Sequence, residues 1–242
     1  AIEEDIIQLE LEYPKLYPLY VKAIMRFDEI GPKGNKETFI DFLNDENIRD
    51  LLDSVSYVYP NGSLQNEFEL LTQSLGRFHY FFPKNQVPKV RTMISAFTYS
   101  TVTDDSLLVI GLDNYLGNRF SLYPKIGIPN YMFQKFSREY MVTDAMKAWV
   151  TSEFEGIEGS KLIDQMIFSG KILYIMRSLM PDFPEHLIFN YNEEELQWCV
   201  SNEREIWAHF IDMDLLFSDK NFQIRKYMGD APFIPGFPEG SP

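Results

Sequence analysis

The sequence predicts an α+β protein, mostly helical, with a small mixed or antiparallel sheet packed on long helices. Three observations predict it. A six-residue apolar run, Leu107-Leu108-Val109-Ile110-Gly111-Leu112, reads as a buried strand. A Thr-, Ile-, Phe- and Tyr-rich stretch, Val90 to Tyr99, reads as a second strand. Most of the remaining chain shows apolar residues at three- and four-residue steps, the period of a helix with one buried face.

In order, residues 1–30 are expected to be helical, since Ile6, Leu9, Tyr13, Tyr17, Tyr20 and Ile24 recur at that spacing. Pro14 and Pro18 must kink or break the pattern, because proline lacks the N–H and its ring strikes the preceding turn. Gly31-Pro32-Lys33-Gly34-Asn35 is a loop. Two helices follow, from Lys36 to about Leu43 and from Asn47 to Val55, with Asp45 as N-cap of the second. Tyr59-Pro60-Asn61-Gly62-Ser63 is a turn, and its Asn-Gly-Ser triplet is read as turn chemistry rather than a glycosylation signal. Leu64 to Phe78 is a helix with Leu64, Phe68, Leu71 and Leu75 on one face, closed by Phe81-Phe82-Pro83. The aromatic group Phe78, Tyr80, Phe81 and Phe82 is expected in the core.

Thr103-Asp104-Asp105-Ser106 is expected to turn the Val90 strand back onto the Leu107 strand as an antiparallel pair. Asp113-Asn114-Tyr115-Leu116-Gly117 then ends that strand, and Pro124, Gly127 and Pro129 hold a connection open. A long central helix runs from Phe133 to about Phe154, and Gly156 to Gly159 breaks it. Lys161 to Met180 is another long helix, with Leu162, Met166, Ile167, Leu173 and Met176 as its apolar stripe and Pro181 and Pro184 behind it. Asn192 caps a helix from Glu193 to about Phe210, whose first-turn glutamates suit the helix dipole. A short helix from Phe222 to Tyr227 is the last regular element. Residues 231–242, with Pro232, Pro235, Pro238 and Pro242, form an extended tail behind one domain over residues 1–230.

Composition narrows function. The 242 residues carry 22 Lys and Arg against 36 Asp and Glu, a net charge of −14. That balance opposes a nucleic-acid partner, which requires clustered cations, and opposes adhesion to anionic lipid without an anchor. A single cysteine, Cys199, rules out an internal disulfide, a multi-cysteine zinc site and an iron–sulfur cluster. It has no flanking cation to lower its pKa and reads as a buried structural thiol. No apolar run reaches the roughly 18 to 20 residues of a membrane span, and no basic region followed by an apolar one opens the chain.

The order strand, loop, long helix is the layout of a zincin protease core. A zincin helix holds zinc through histidines at i and i+4, with a glutamate between them polarising the bound water. Here those places hold Thr143 and Lys147, with Asp144 where the base would stand. A third ligand, often a glutamate before a glycine on the next helix, is replaced by Ser169 before Gly170. Threonine is a poor zinc ligand and an ammonium repels the cation, so no catalytic zinc and no cofactor is expected. His79, His186 and His209 lie far apart in sequence. Glu205 and His209 have metal-ligand spacing on a helix but no second histidine nearby, and read as an ordinary pair. No nucleophile elbow and no phosphate-binding glycine loop is present.

Several segments resemble, in collinear order, the gliding motility-associated lipoprotein B family of the Bacteroidetes. They are Phe78-His79-Tyr80-Phe81-Phe82-Pro83, Val90 to Phe97, Ile110 to Gly117, Ser169 to Tyr174, Gln197 to Glu203 and Ile206-Trp207, within a match from about Tyr13 to Phe237. The resemblance implies a degenerate zincin-like scaffold and an envelope lipoprotein, held on the periplasmic side of the outer membrane by a lipidated cysteine ahead of Ala1. It also implies a Gly-rich helix following Pro242. The function expected is non-catalytic binding of a protein or peptide partner in the envelope, with membrane contact only through the anchor. A Val109 to Leu112 strand edge would pair with the peptide, and Leu112, Asp113, Asp144, Lys147 and Ser169 would line the degenerate cleft. The competing expectations are an envelope hydrolase with an atypical or absent metal, using Asp144, Glu205 and His209, and a structural spacer with no groove.

Overall fold

A computed structural model describes residues 2–27, 35–154, 156 and 159–229. The expected loop at 31–35 lies outside the described residues except for Asn35, as do residues 157–158 of the 156–159 break and the whole tail. Backbone proximity divides the chain into two units, Ala1–Phe68 with Pro88–Leu116, and Glu69–Val87 with Gly117–Pro242.

The first unit opens with α1 (Ile2–Glu12), which stops ahead of Pro14. Next comes α2 (Leu16–Pro18), which runs into a π-helical turn, Leu19–Ile24. The wider turn follows directly on Pro18, whose missing donor already disrupts the α-ladder. α3 (Asn35–Asn44) and α4 (Glu46–Val58) are separated by Asp45, whose carboxylate accepts from the N–H groups of Asn47 and Ile48 as the sequence predicts for an N-cap. Ile6, Tyr17, Val21, Phe27 and Phe39 form the core of this helical layer. Phe27 stacks on Phe39 with ring centroids 5.5 Å apart, and Tyr17 and Tyr20 tilt against the same ring.

Among the described residues the sheet has three strands: β1 (Lys89–Met93), β2 (Thr101–Asp104) and β3 (Leu107–Gly111). Their order is β1-β3-β2, so β3 is central, and all five of its residues are buried as a continuous apolar run demands. Two expectations change here. The turn before Leu107 joins β3 not to the Val90 stretch but to β2, and it is β2 that runs antiparallel. β1 pairs with β3 in parallel, Lys89 opposite Leu107 through Met93 opposite Gly111. The Val90 stretch stops being strand at Met93, since Ala96 and Phe97 both take positive φ, 51° and 64°. With β3 flanked on both sides, it offers no edge for a peptide; the edges belong to β1 and β2. Behind β3 a 3-10 turn, Leu112–Tyr115, replaces the simple turn expected, and the Tyr59 hydroxyl donates to the Tyr115 carbonyl.

The chain leaves the first unit within α5 (Gln65–Phe81), whose Leu71, Leu75 and Phe78 are buried. Tyr80 and Phe81, expected in the core, are instead exposed, because a helix turns only one side of its last turn inward. Two short helices, α6 (Leu122–Lys125) and α7 (Asn130–Phe133), fill the connection around Tyr123, whose ring meets Phe120, Phe133 and Phe136. The central helix, α8 (Arg138–Glu153), starts five residues later than expected, at the extended Ser137. α9 (Leu162–Leu179) packs on α8, and α10 (Glu185–Phe189) lies against both. The buried positions of α9 are Leu162, Ile172, Met176 and Leu179, while Ile167 from the expected stripe is half exposed. The predicted helix from Glu193 is two, α11 (Glu193–Ser201) and α12 (Glu203–Asp212), hinged at Asn202, whose side chain donates to the Trp198 carbonyl. At its start the Asn192 side chain and Glu195 exchange bonds with each other's main chain as a capping box. α13 (Asn221–Met228) packs on α9.

Candidate functional site

In the first unit an apolar groove of about 390 Å³ lies between the helical layer and the end of β1. α1 supplies Leu9, the next segment Tyr13 and Tyr17, α4 supplies Ile48 and Leu52, and the sheet supplies Thr92. The lining is almost wholly apolar and aromatic, as sites for extended apolar ligands are. Tyr17 is 7% exposed, and its hydroxyl is buried with no hydrogen-bond partner among the described residues. Such an orphaned group costs about 1–3 kcal/mol and stands out in a folded protein. Burial, with a smaller contribution from Glu10, pushes the Tyr17 pKa up, so the phenol stays protonated.

The wall of the groove that β1 provides is also a sheet edge. The Lys89 N–H donates to the Ser106 carbonyl, and the parallel register then turns the odd-numbered residues toward β3. Val90, Thr92 and Ile94 therefore turn their main-chain groups outward. Arg91 donates back to the Val90 carbonyl and the Tyr20 hydroxyl donates to the Ile94 carbonyl at 2.8 Å. Between those two, Thr92 presents both main-chain groups beside the groove.

The end of β1 is held by Asp113. Its side chain is 0% exposed, and its carboxylate accepts from the Ser95 N–H at 3.1 Å, the Phe97 N–H at 2.6 Å and the Ser95 hydroxyl. The two N–H groups make a concave anion-binding nest, filled here by the chain's own carboxylate. Asn114 donates to Ser95 Oγ and to the Tyr99 carbonyl. Burial outweighs these bonds and raises the Asp113 pKa above its ordinary value. Asp113 thus acts on the groove by fixing the 95–99 loop rather than by presenting its carboxylate to solvent. Leu112 beside it is buried.

The other residues expected to line a cleft sit in the second unit. Thr143 on α8 is 2% exposed, and its hydroxyl donates to the Tyr140 carbonyl at 2.9 Å. Asp144 and Lys147 are half-buried on the same helix, and Ser169 is half-buried on α9. Glu205 and His209 are exposed on α12, and His209 Nε2 lies 2.9 Å from the Tyr227 hydroxyl. Cys199 is half-buried beside the Tyr191 hydroxyl, not fully buried. Among the described residues no group of three or more His, Cys, Asp or Glu is arranged to hold a metal ion.

The family model described as gliding motility protein GldB matches residues 1–242. The chain belongs to this family. GldB proteins are gliding-motility lipoproteins, lipid-anchored in the cell envelope. No helix among the described residues of this GldB chain is long and apolar enough to cross a membrane. No curated protein and no solved structure matches it. The groove was missed in the sequence because its residues come from four separate segments. The one local signal for it was the stripe Tyr13, Tyr17, Tyr20, whose spacing alone does not distinguish core from lining.

Proposed function

We propose that this GldB-family chain works by binding, without catalysis, an extended apolar segment of a protein partner in the envelope, and that the groove along β1 receives it. The observation that carries the reading is an apolar groove alongside the outer edge of a strand that pairs there with no other strand among the described residues. Backbone pairing to Thr92 supplies affinity, and side chains entering the channel supply selectivity, the two parts of strand addition. A scaffold of zincin descent is part of the proposal; what supports it is the order of strand β3, connection and long helix α8, and on that alignment Thr143, Lys147 and Ser169 would stand where zinc ligands are expected.

The test is selection from a random peptide library on the purified chain, followed by fluorescence anisotropy of the enriched sequences. Apolar peptides are expected to bind, and Leu9→Glu, Ile48→Glu and Leu52→Glu are each expected to weaken them at least tenfold. Circular dichroism separates this effect from unfolding. Failure to enrich any peptide, or binding indifferent to all three changes in folded protein, sinks the reading. Cleavage of casein that depends on Asp144 would count against the non-catalytic part.

A further inference from the structure

The groove continues past Tyr13 and Leu16, which line both the apolar channel and a second hollow of about 340 Å³. This hollow is different in character. Lys15, Lys89 and Arg91 line it, with Glu12 the one acidic group among the described lining residues. Three cations less one anion leave +2 locally on a chain whose net charge is −14. Among the described residues none of the three cations is in an ion pair. Lys15 donates to the Ser106 hydroxyl at 2.8 Å, and the Arg91 guanidinium lies over the Tyr13 ring, 5.8 Å from its centroid. The Arg91 side chain is thereby held at the junction of the two hollows.

Resting on the groove reading above, we infer that the bound segment is amphipathic in a fixed direction: apolar residues in the channel and a carboxylate at the Lys15–Lys89–Arg91 end. β1 runs from Lys89 at the basic end to Met93 at the apolar end. A segment added antiparallel, the more stable arrangement, brings its carboxyl-terminal side to the cations. The occupant is therefore a peptide stretch closing on acidic residues or on a free C-terminus. Guanidinium and ammonium groups that are in no ion pair among the described residues are suited to it, Arg91 through its remaining N–H groups and the lysines as point charges.

The experiment uses the full chain and four fluorescent probes: an apolar peptide from the library ending in two acidic residues and a free carboxylate, its amidated Gln-ended counterpart, the same acidic peptide in reversed order, and labelled palmitate. The acidic-ended peptide is expected to bind about tenfold more tightly than the amidated one at low salt, with the gap closing as salt screens the partly exposed cations. Lys15→Gln with Lys89→Gln, both exposed positions, is expected to abolish that gap and leave the amidated peptide unchanged. Equal affinity for the acidic and amidated peptides overturns this inference while the groove reading stands. Equal binding of the reversed peptide overturns the direction. Binding of palmitate with no peptide binding at all overturns both.

Discussion

The Phe97 N–H donates to the buried Asp113 carboxylate over 2.6 Å, joining the second residue after β3 to a loop sixteen positions earlier. Phe97 holds a positive φ to make that bond, and so does Ala96 before it. A non-glycine residue there costs about 1–2 kcal/mol, and the bonds to Asp113 offset that cost. The loop that leads out of β1, and with it the wall of the groove, depends on one carboxylate.

Replacing Asp113 with Ala removes the acceptor of the buried Ser95 N–H and the part-buried Phe97 N–H and should cost about 2–3 kcal/mol. Urea denaturation measures it, and a loss under about 1 kcal/mol would show that the loop does not need its anchor. In folded protein the same change should weaken peptide binding by moving Met93 and Ile94.

The raised Asp113 pKa has a pH consequence. A carboxyl that binds its proton more tightly folded than unfolded adds stability below the unfolded value of 3.8, and loses that contribution as pH rises through the folded pKa. Measured against Asp113→Asn, the unaltered chain should therefore gain relative stability on acidification. A difference that grows with rising pH would refute the desolvation argument.

Ala96→Gly should stabilise the chain by up to about 1 kcal/mol, because glycine occupies positive φ without strain. The thermal midpoint reports it. Binding should not change, since no side chain useful to the groove is lost.

Gly111 is required for a different reason. A Cβ there would stand 2.2 Å from the Tyr99 carbonyl oxygen, a main-chain atom that cannot swing aside. Gly111→Ala should destabilise by about 2–3 kcal/mol as an overpacked site. Tolerance of alanine would mean that Ser100 and Gly111 are not held as the N–H of Gly111 donating to Ser100 indicates.

Asn192→Ala removes the acceptor for the Glu195 N–H and should cost about 1 kcal/mol in the second unit, with no effect on peptide affinity. Paired melting and anisotropy measurements check both halves.

Much of this protein was readable from local chemistry. Asp45 and Asn192 announce their helices because a cap is made within three residues. The Leu107 run announces a buried strand, because a strand covered on both faces can bury so many consecutive apolar residues; that it is central and has no free edge follows only from the sheet order. The family was legible in the collinear run of segments that ends near Phe237. What the sequence could not settle was pairing. A parallel neighbour and an antiparallel one present the same apolar pattern, and Val90 and Thr101 compete for the same partner strand. Likewise Asp113 looks like a cleft residue in sequence; only folding shows its carboxylate spent on Ser95 and Phe97. The groove is tertiary throughout, since Leu9, Tyr17, Ile48 and Thr92 become neighbours only when the helices close over β1.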